Sequence, residues 1–179
     1  MKRRHLLLKT SVIIFVLLVM AFVVYIHLHG DWRNLFVRDF YFKRNLERIN
    51  LAVLLYAEKH NGIMPTASSW ADLIKDKNPL ILKEDFVTPM SYSNFGIYYN
   101  NALENKSLPS LKENTVVLFT AKGKWNSNGN IQYFREHSSH RHVYVITING
   151  EIYRYNPDND TYLRLKNSQE INSGSLYWE

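Results

Sequence analysis

The chain has 179 residues, no cysteine, 46% hydrophobic and 14% aromatic content, and a formal net charge of +6. This composition excludes a disordered tail, and the missing cysteine excludes disulfides, thiolate metal sites and cysteine nucleophiles. The charge is not a nucleic-acid signal. Lys2, Arg3, Arg4 and Lys9 precede Asp31, the first carboxylate, so residues 31–179 keep 18 Lys and Arg against 16 Asp and Glu, a net of +2.

From Thr10 to Ile26 there is no charged residue, and Leu6, Leu7, Leu8 and Leu28 extend the apolar run on both sides. Residues 6–28 suffice to cross a hydrocarbon core of about 30 Å if Lys9 reaches back to the headgroups. Leu6, Ile13, Phe15, Leu18, Phe22 and Ile26 are the expected lipid-facing anchors. The run ends in Tyr25-Ile26-His27-Leu28-His29, with none of the small residues a signal peptidase site requires, so an uncleaved signal anchor is expected. The basic stretch Lys2-Arg3-Arg4-His5 keeps the N-terminus in the cytoplasm. The expected organisation is therefore a tail and anchor over 1–30 and one domain over 31–179. That domain would lie outside the cytoplasmic membrane, with the lipid bilayer as first partner.

Beyond Gly30-Asp31, Leu35, Phe42, Leu46, Ile49, Val53 and Tyr56 follow three- and four-residue steps with one skip near Asp39. This spacing predicts an amphipathic helix closed by His60-Asn61-Gly62, with glycine just past its end. The helix either continues the anchor through a kink or stands apart from it. Ser69 and Asp72 have the spacing of a capping box and open a short helix through Trp70, Leu73 and Ile74. Residues 76–96, broken by Pro79 and Pro89, read as loop.

The C-terminal half reads as strands. Val116–Phe119 is a short apolar run, residues 142–148 alternate, and Asn149-Gly150 is a two-residue hairpin turn. Residues 151–155 continue the meander, Pro157-Asp158-Asn159-Asp160 turns it, and 161–165 returns. The expected fold class is α+β: a transmembrane helix extended by an amphipathic helix, which packs on a small antiparallel sheet.

This order of parts, with the helix end Lys59-His60-Asn61-Gly62-Ile63-Met64-Pro65 followed by Ser68-Ser69-Trp70-Ala71-Asp72-Leu73-Ile74, resembles the pilin and pseudopilin pattern of type II secretion and type IV pilus proteins. Tyr99-Asn100-Asn101-Ala102-Leu103, Lys106-Ser107-Leu108 and Trp125-Asn126 are similar to one prepilin-like branch, whose C-terminal half ends in a His-x9-Asp-Gly element. Here His140 is followed by eight residues and then Asn149-Gly150. The N-terminus lacks the glycine and Phe-Thr-Leu-x-Glu cleavage motif of prepilins, and the anchor has no carboxylate. The resemblance implies a pilin-like domain without a cofactor, working through contacts with similar subunits or secretion-system components.

Candidate chemistry is sparse. His137, His140 and His142 are the densest set of possible metal ligands, and a membrane-tethered metal- or ligand-binding module centred on them is the alternative function. Arg135 and Arg141 oppose a cation there, which favours structural or surface histidines. Asn156, Asp158 and Asp160 place oxygens at alternate positions as calcium loops do, yet the same residues are ordinary turn chemistry. No G-x-S-x-G, P-loop or G-x-G-x-x-G occurs, so the expectation is a non-enzymatic interaction protein. Trp125, Tyr133, Phe134 and Tyr144 read as sheet core, with an exposed recognition surface as the alternative.

Overall fold

Short runs rich in β-branched and aromatic residues recur from Ile97 onward, and these runs form most of the sheet. The computed structural model describes residues 18–20, 24, 31–87, 96–121, 123–137 and 143–178, with 31–39 described by backbone only. The chain divides into two compact units, residues 1–39 and 40–179. In the first, residues 18–20 and 24 are helical and Leu18 is exposed. The other anchor residues, Leu6, Ile13, Phe15, Phe22 and Ile26, lie outside the described residues. Among the described residues, no helix is long and apolar enough to cross a membrane.

Three helices are described: α1 (Asp31–Lys59), α2 (Trp70–Lys77) and α3 (Ile131–His137). The strands are β1 (Ile97–Asn100), β2 (Val116–Thr120), β3 (Asn128–Gly129), β4 (Val143–Thr147), β5 (Ile152–Asn156), β6 (Thr161–Arg164) and β7 (Gln169–Asn172). They form one seven-stranded sheet in the order β3-β1-β2-β4-β5-β6-β7. Every neighbouring pair is antiparallel except β1 and β3, which run parallel. The expected small antiparallel sheet is thus corrected to a large mixed one, and the architecture of a membrane helix running onto a small sheet is not what the described residues form.

The extra strands are those with the weakest local signal. β3 is an Asn-Gly pair, β7 is Gln-Glu-Ile-Asn with mostly exposed side chains, and β1 is buried at all four positions, so none shows alternation. β1, β2 and β4 are buried throughout because both faces of the sheet are covered. On one face Ile97, Tyr99, Tyr144 and Ile146 belong to the core that holds Leu46, Ile49 and Val53 of α1 and Trp70 of α2. On the other, Tyr98, Phe119, Val145 and Tyr153 belong to a second core with Phe134 of α3 and the C-terminal Leu176 and Trp178.

A bulge in β2 reconciles its sequence with two covered faces. Val116 pairs with Thr147 and Leu118 with Ile146, so the register slips at Val117. Val117 and Leu118 consequently both join the α1 face, while Val116 and Phe119 join the other. Two buried asparagines tie the layers together. Asn50 of α1 donates to the Thr147 carbonyl at 3.2 Å. Asn100 donates to the carbonyls of Val116 and Trp178 and accepts from the Ala102 amide. The asparagine quoted in the resemblance therefore clips the C-terminal segment to the sheet.

The β4–β5 hairpin reverses at Asn149-Gly150, but not through a two-residue turn. Gly150 donates to the Thr147 carbonyl at 2.9 Å, and Thr147 donates to Glu151 at 3.1 Å. Gly150 has φ +80° and Asn149 does not have a positive φ, so the loop is a three-residue turn with glycine at the left-handed position. A Cβ on Gly150 would meet nothing within 4 Å, so replacement carries only backbone strain. Gly150→Ala is expected to cost about 1 kcal/mol in urea unfolding, and Gly150→Asn less, because asparagine tolerates that region.

Candidate interaction surface

α1 buries one side and leaves the other bare. Phe42, Leu46, Ile49, Val53 and Ala57 are in the core. On the opposite side Phe40 is 64% exposed and Leu51 57%, with Tyr41 and Leu55 exposed as well. At 100° per residue, Phe40, Arg44, Glu47, Leu51, Leu55 and Glu58 lie along one outward stripe. A surface helix ordinarily fills this stripe with charged and polar residues, so the exposed apolar side chains are unusual there.

The segment after α2 enlarges the apolar surface. Leu80 and Leu82 are 75% and 56% exposed. Arg48 of α1 donates to the Leu80 carbonyl at 2.5 Å and lies 3.7 Å from the Asp85 carboxylate. These contacts hold the Leu80 segment beside the turn of α1 that carries Leu51. The sequence reads as loop from residue 76, yet α2 runs on to Lys77 and Lys83–Phe86 forms a 3-10 turn, and nothing in the sequence announces that Leu80 and Leu82 stay exposed. Several large apolar side chains exposed on one side of a helix and beside it make this face a candidate site of contact with a partner.

A polar latch braces the core beneath α2. Ser69 makes no side-chain capping bond at the start of this helix. The cap comes from a distant residue: the Asn126 Oδ1 accepts from the amides of Ala71 and Asp72 at 2.8 and 3.2 Å. Asp72 in turn accepts from the Trp125 indole at 2.7 Å and from the Asn126 amide at 2.5 Å. The Trp70 indole donates to the Ser127 carbonyl at 2.9 Å, and the Asn128 amide to that of Ala67 at 3.0 Å. Sequence spacing suggested a local capping box, whereas Asn126 caps the helix across 55 residues of chain.

Of the three candidate metal ligands, only His137 lies among the described residues. His137 ends α3, its ring stacked on Tyr133 at 3.9 Å and its Nδ1 2.9 Å from the Tyr133 carbonyl. His140 and His142 lie outside the described residues. Among the described residues there is no group of three His, Asp or Glu side chains placed to hold a metal. Of the Asn156, Asp158 and Asp160 set, two side chains are engaged by the protein itself: Asn156 accepts from the Asp158 amide, and Asp160 accepts from Tyr155, Ser173 and Arg135. An open groove of about 410 Å³ lies near Ile131, Arg135, Ser173, Leu176 and Tyr177, with no histidine or carboxylate among the described residues of its lining.

The aromatic residues divide as the covered sheet requires. Phe134 and Tyr144 are buried, while Trp125 and Tyr133 are half-buried at the edges of the two cores. Burial, with the hydrogen bond to Tyr133, pushes the Tyr98 phenol up to about 12. Burial and the Asp160 carboxylate push Tyr155 to about 12 as well. On the acid side, hydrogen bonds from Trp125 and Asn126 hold Asp72 below its ordinary value, and the Arg164 guanidinium does the same for Glu151.

These shifts have opposite signs in stability. The carboxylates contribute fully above about pH 4, their unfolded value, and lose the contribution as pH falls through their lower folded values. The phenols contribute fully below about pH 10 and lose the contribution as pH rises towards 12. Urea midpoints are therefore expected to hold steady from about pH 5 to 9 and to fall on both sides. An Asp72→Asn, Glu151→Gln variant should show a shallower acid limb, and an unchanged acid limb would refute the assignment.

Comparison with protein-family models, with characterised protein sequences and with solved structures finds no match.

Proposed function

We propose that this chain is an envelope interaction protein, tethered to the cytoplasmic membrane by the apolar segment 6–28. Its Phe40–Glu179 unit presents the outer face of α1 to other proteins on the far side of that membrane. The observation that carries the proposal is the exposed apolar strip of Phe40, Tyr41, Leu51 and Leu55, bordered by Leu80 and Leu82. The apolar N-terminal run supports the tether, and the resemblance to pilins and pseudopilins supports partners that are similar subunits or secretion components. Catalysis is not part of the proposal.

The absence of cysteine makes a direct test possible. A single cysteine at Leu51 or Leu55, treated with a short thiol-reactive crosslinker in native membranes, should capture protein partners. A cysteine at exposed Gln132 of α3, the helix that packs on the opposite face of the sheet, should capture few. Equal capture at all three positions, or none at the leucines, would defeat the proposal. Recovery of the full chain as a freely soluble species without detergent would defeat the tether.

A further inference from the structure

The charges on the α1 stripe restrict what can lie against it. Arg44 stands seven residues before Leu51 and Glu58 seven after it, each two turns away on the same outward side. Both are exposed, and neither forms an ion pair within the chain among the described residues. We propose that the partner of this face is a second copy of the chain, docked antiparallel about a two-fold axis at Leu51.

The argument is one of register. In an antiparallel pair centred on Leu51, a residue n positions before Leu51 faces the residue n positions after it on the other copy. Arg44 of each copy then faces Glu58 of the other, giving two opposite-charge pairs around a central Leu51–Leu51 contact. Glu47 faces Leu55 and Arg48 faces Leu54, so no like charges meet along the stripe; Lys43 and Lys59, which the same register sets opposite each other, lie off it, Lys43 with its ammonium over the Tyr144 ring. A parallel, in-register pair sets Arg44 against Arg44, Glu47 against Glu47 and Glu58 against Glu58, three repulsions along one seam. A closed two-fold contact uses the same patch on both copies, and this stripe is complementary to itself in only the antiparallel sense. Leu80 and Leu82 add apolar surface at the rim beside Arg48.

This inference rests on the reading of the α1 face as an interaction surface, and the test separates the two. The full-length chain is expressed in membranes with single cysteines and treated with a short bis-maleimide. Leu51→Cys should crosslink to itself efficiently. Arg44→Cys and Glu58→Cys should each self-crosslink poorly, whereas co-expression of the two should yield a mixed dimer. Independently, Arg44→Glu and Glu58→Arg should each weaken detergent-solubilised dimers by about tenfold, and the double variant should restore them. Thermal melts at concentrations where the chain is monomeric should be unchanged, since both side chains are exposed.

Strong self-crosslinking of Arg44→Cys, or a double reversal that fails to restore association, overturns the two-fold. Leu51→Cys captured only on other proteins overturns it too, but leaves the interaction face standing. Capture of nothing at Leu51 retires both.

Discussion

Trp70→Ala is expected to lower the unfolding free energy by about 4 kcal/mol, the upper range for truncating a buried aromatic. Trp70 is fully buried in the core between α1, α2 and the sheet. Its ring stacks on Tyr99 at 5.7 Å and packs against Phe86 at 5.6 Å, and its indole donates to the Ser127 carbonyl. Truncation removes the ring contacts, leaves a void among residues that cannot all collapse, and takes one of two hydrogen bonds from the Ser127 carbonyl, which keeps the Tyr99 amide. Trp70→Phe keeps most of the volume and loses the hydrogen bond, so it should cost about half as much. Urea unfolding of the full chain in detergent, read by near-ultraviolet circular dichroism, measures both. A cost below about 1 kcal/mol for Trp70→Ala would show that the ring is not the keystone of this layer.

Asn126→Ala should cost about 3 kcal/mol, through two separable causes. Asn126 sits at φ +58°, a region asparagine tolerates and alanine resists by about 1 kcal/mol. Its side chain also caps α2 from across the fold and donates to Asp72, and loss of a helix cap costs about 1 to 2 kcal/mol. Asn126→Gly keeps the backbone conformation and loses only the side-chain bonds, so it should fall between the parent and the alanine variant. Asn126→Asp keeps the acceptor but sets two carboxylates together, so its stability should worsen as pH rises from 4 to 7. If glycine and alanine prove equal, the backbone conformation contributes nothing.

The latch also explains the surroundings of Trp125. Its ring meets Phe86 edge-on at 4.8 Å, and the Lys83 ammonium lies 5.0 Å above it. Half-exposed aromatic surface in this place closes the lid of the first core, which is why it is weaker evidence for a binding site than the leucines on α1.

Local chemistry was enough to locate α1, the end of that helix near Asn61-Gly62, the reversal at Asn149-Gly150 and the β4–β5–β6 meander. Each rests on periodicity or on a residue type that few backbone conformations admit. The start of α2 is legible in the sequence but its cap is not, since the Ser69 side chain makes no capping bond and Asn126 supplies it. The size of the sheet was not legible. β3 and β7 pair through backbone groups that any residue supplies, and β1 is too short and too buried to alternate.

The sequence alone determined that this chain has an apolar N-terminal run, a long amphipathic helix, no thiol chemistry and a strand-rich C-terminal half. These follow from the free energy of moving each side chain out of water, a property of the residue and its spacing. Only the tertiary structure decided that seven strands share one mixed sheet, that a distant asparagine caps α2, and that α1 keeps leucines in water. Those outcomes depend on which surfaces remain once every other layer has packed, a balance no local window of sequence contains.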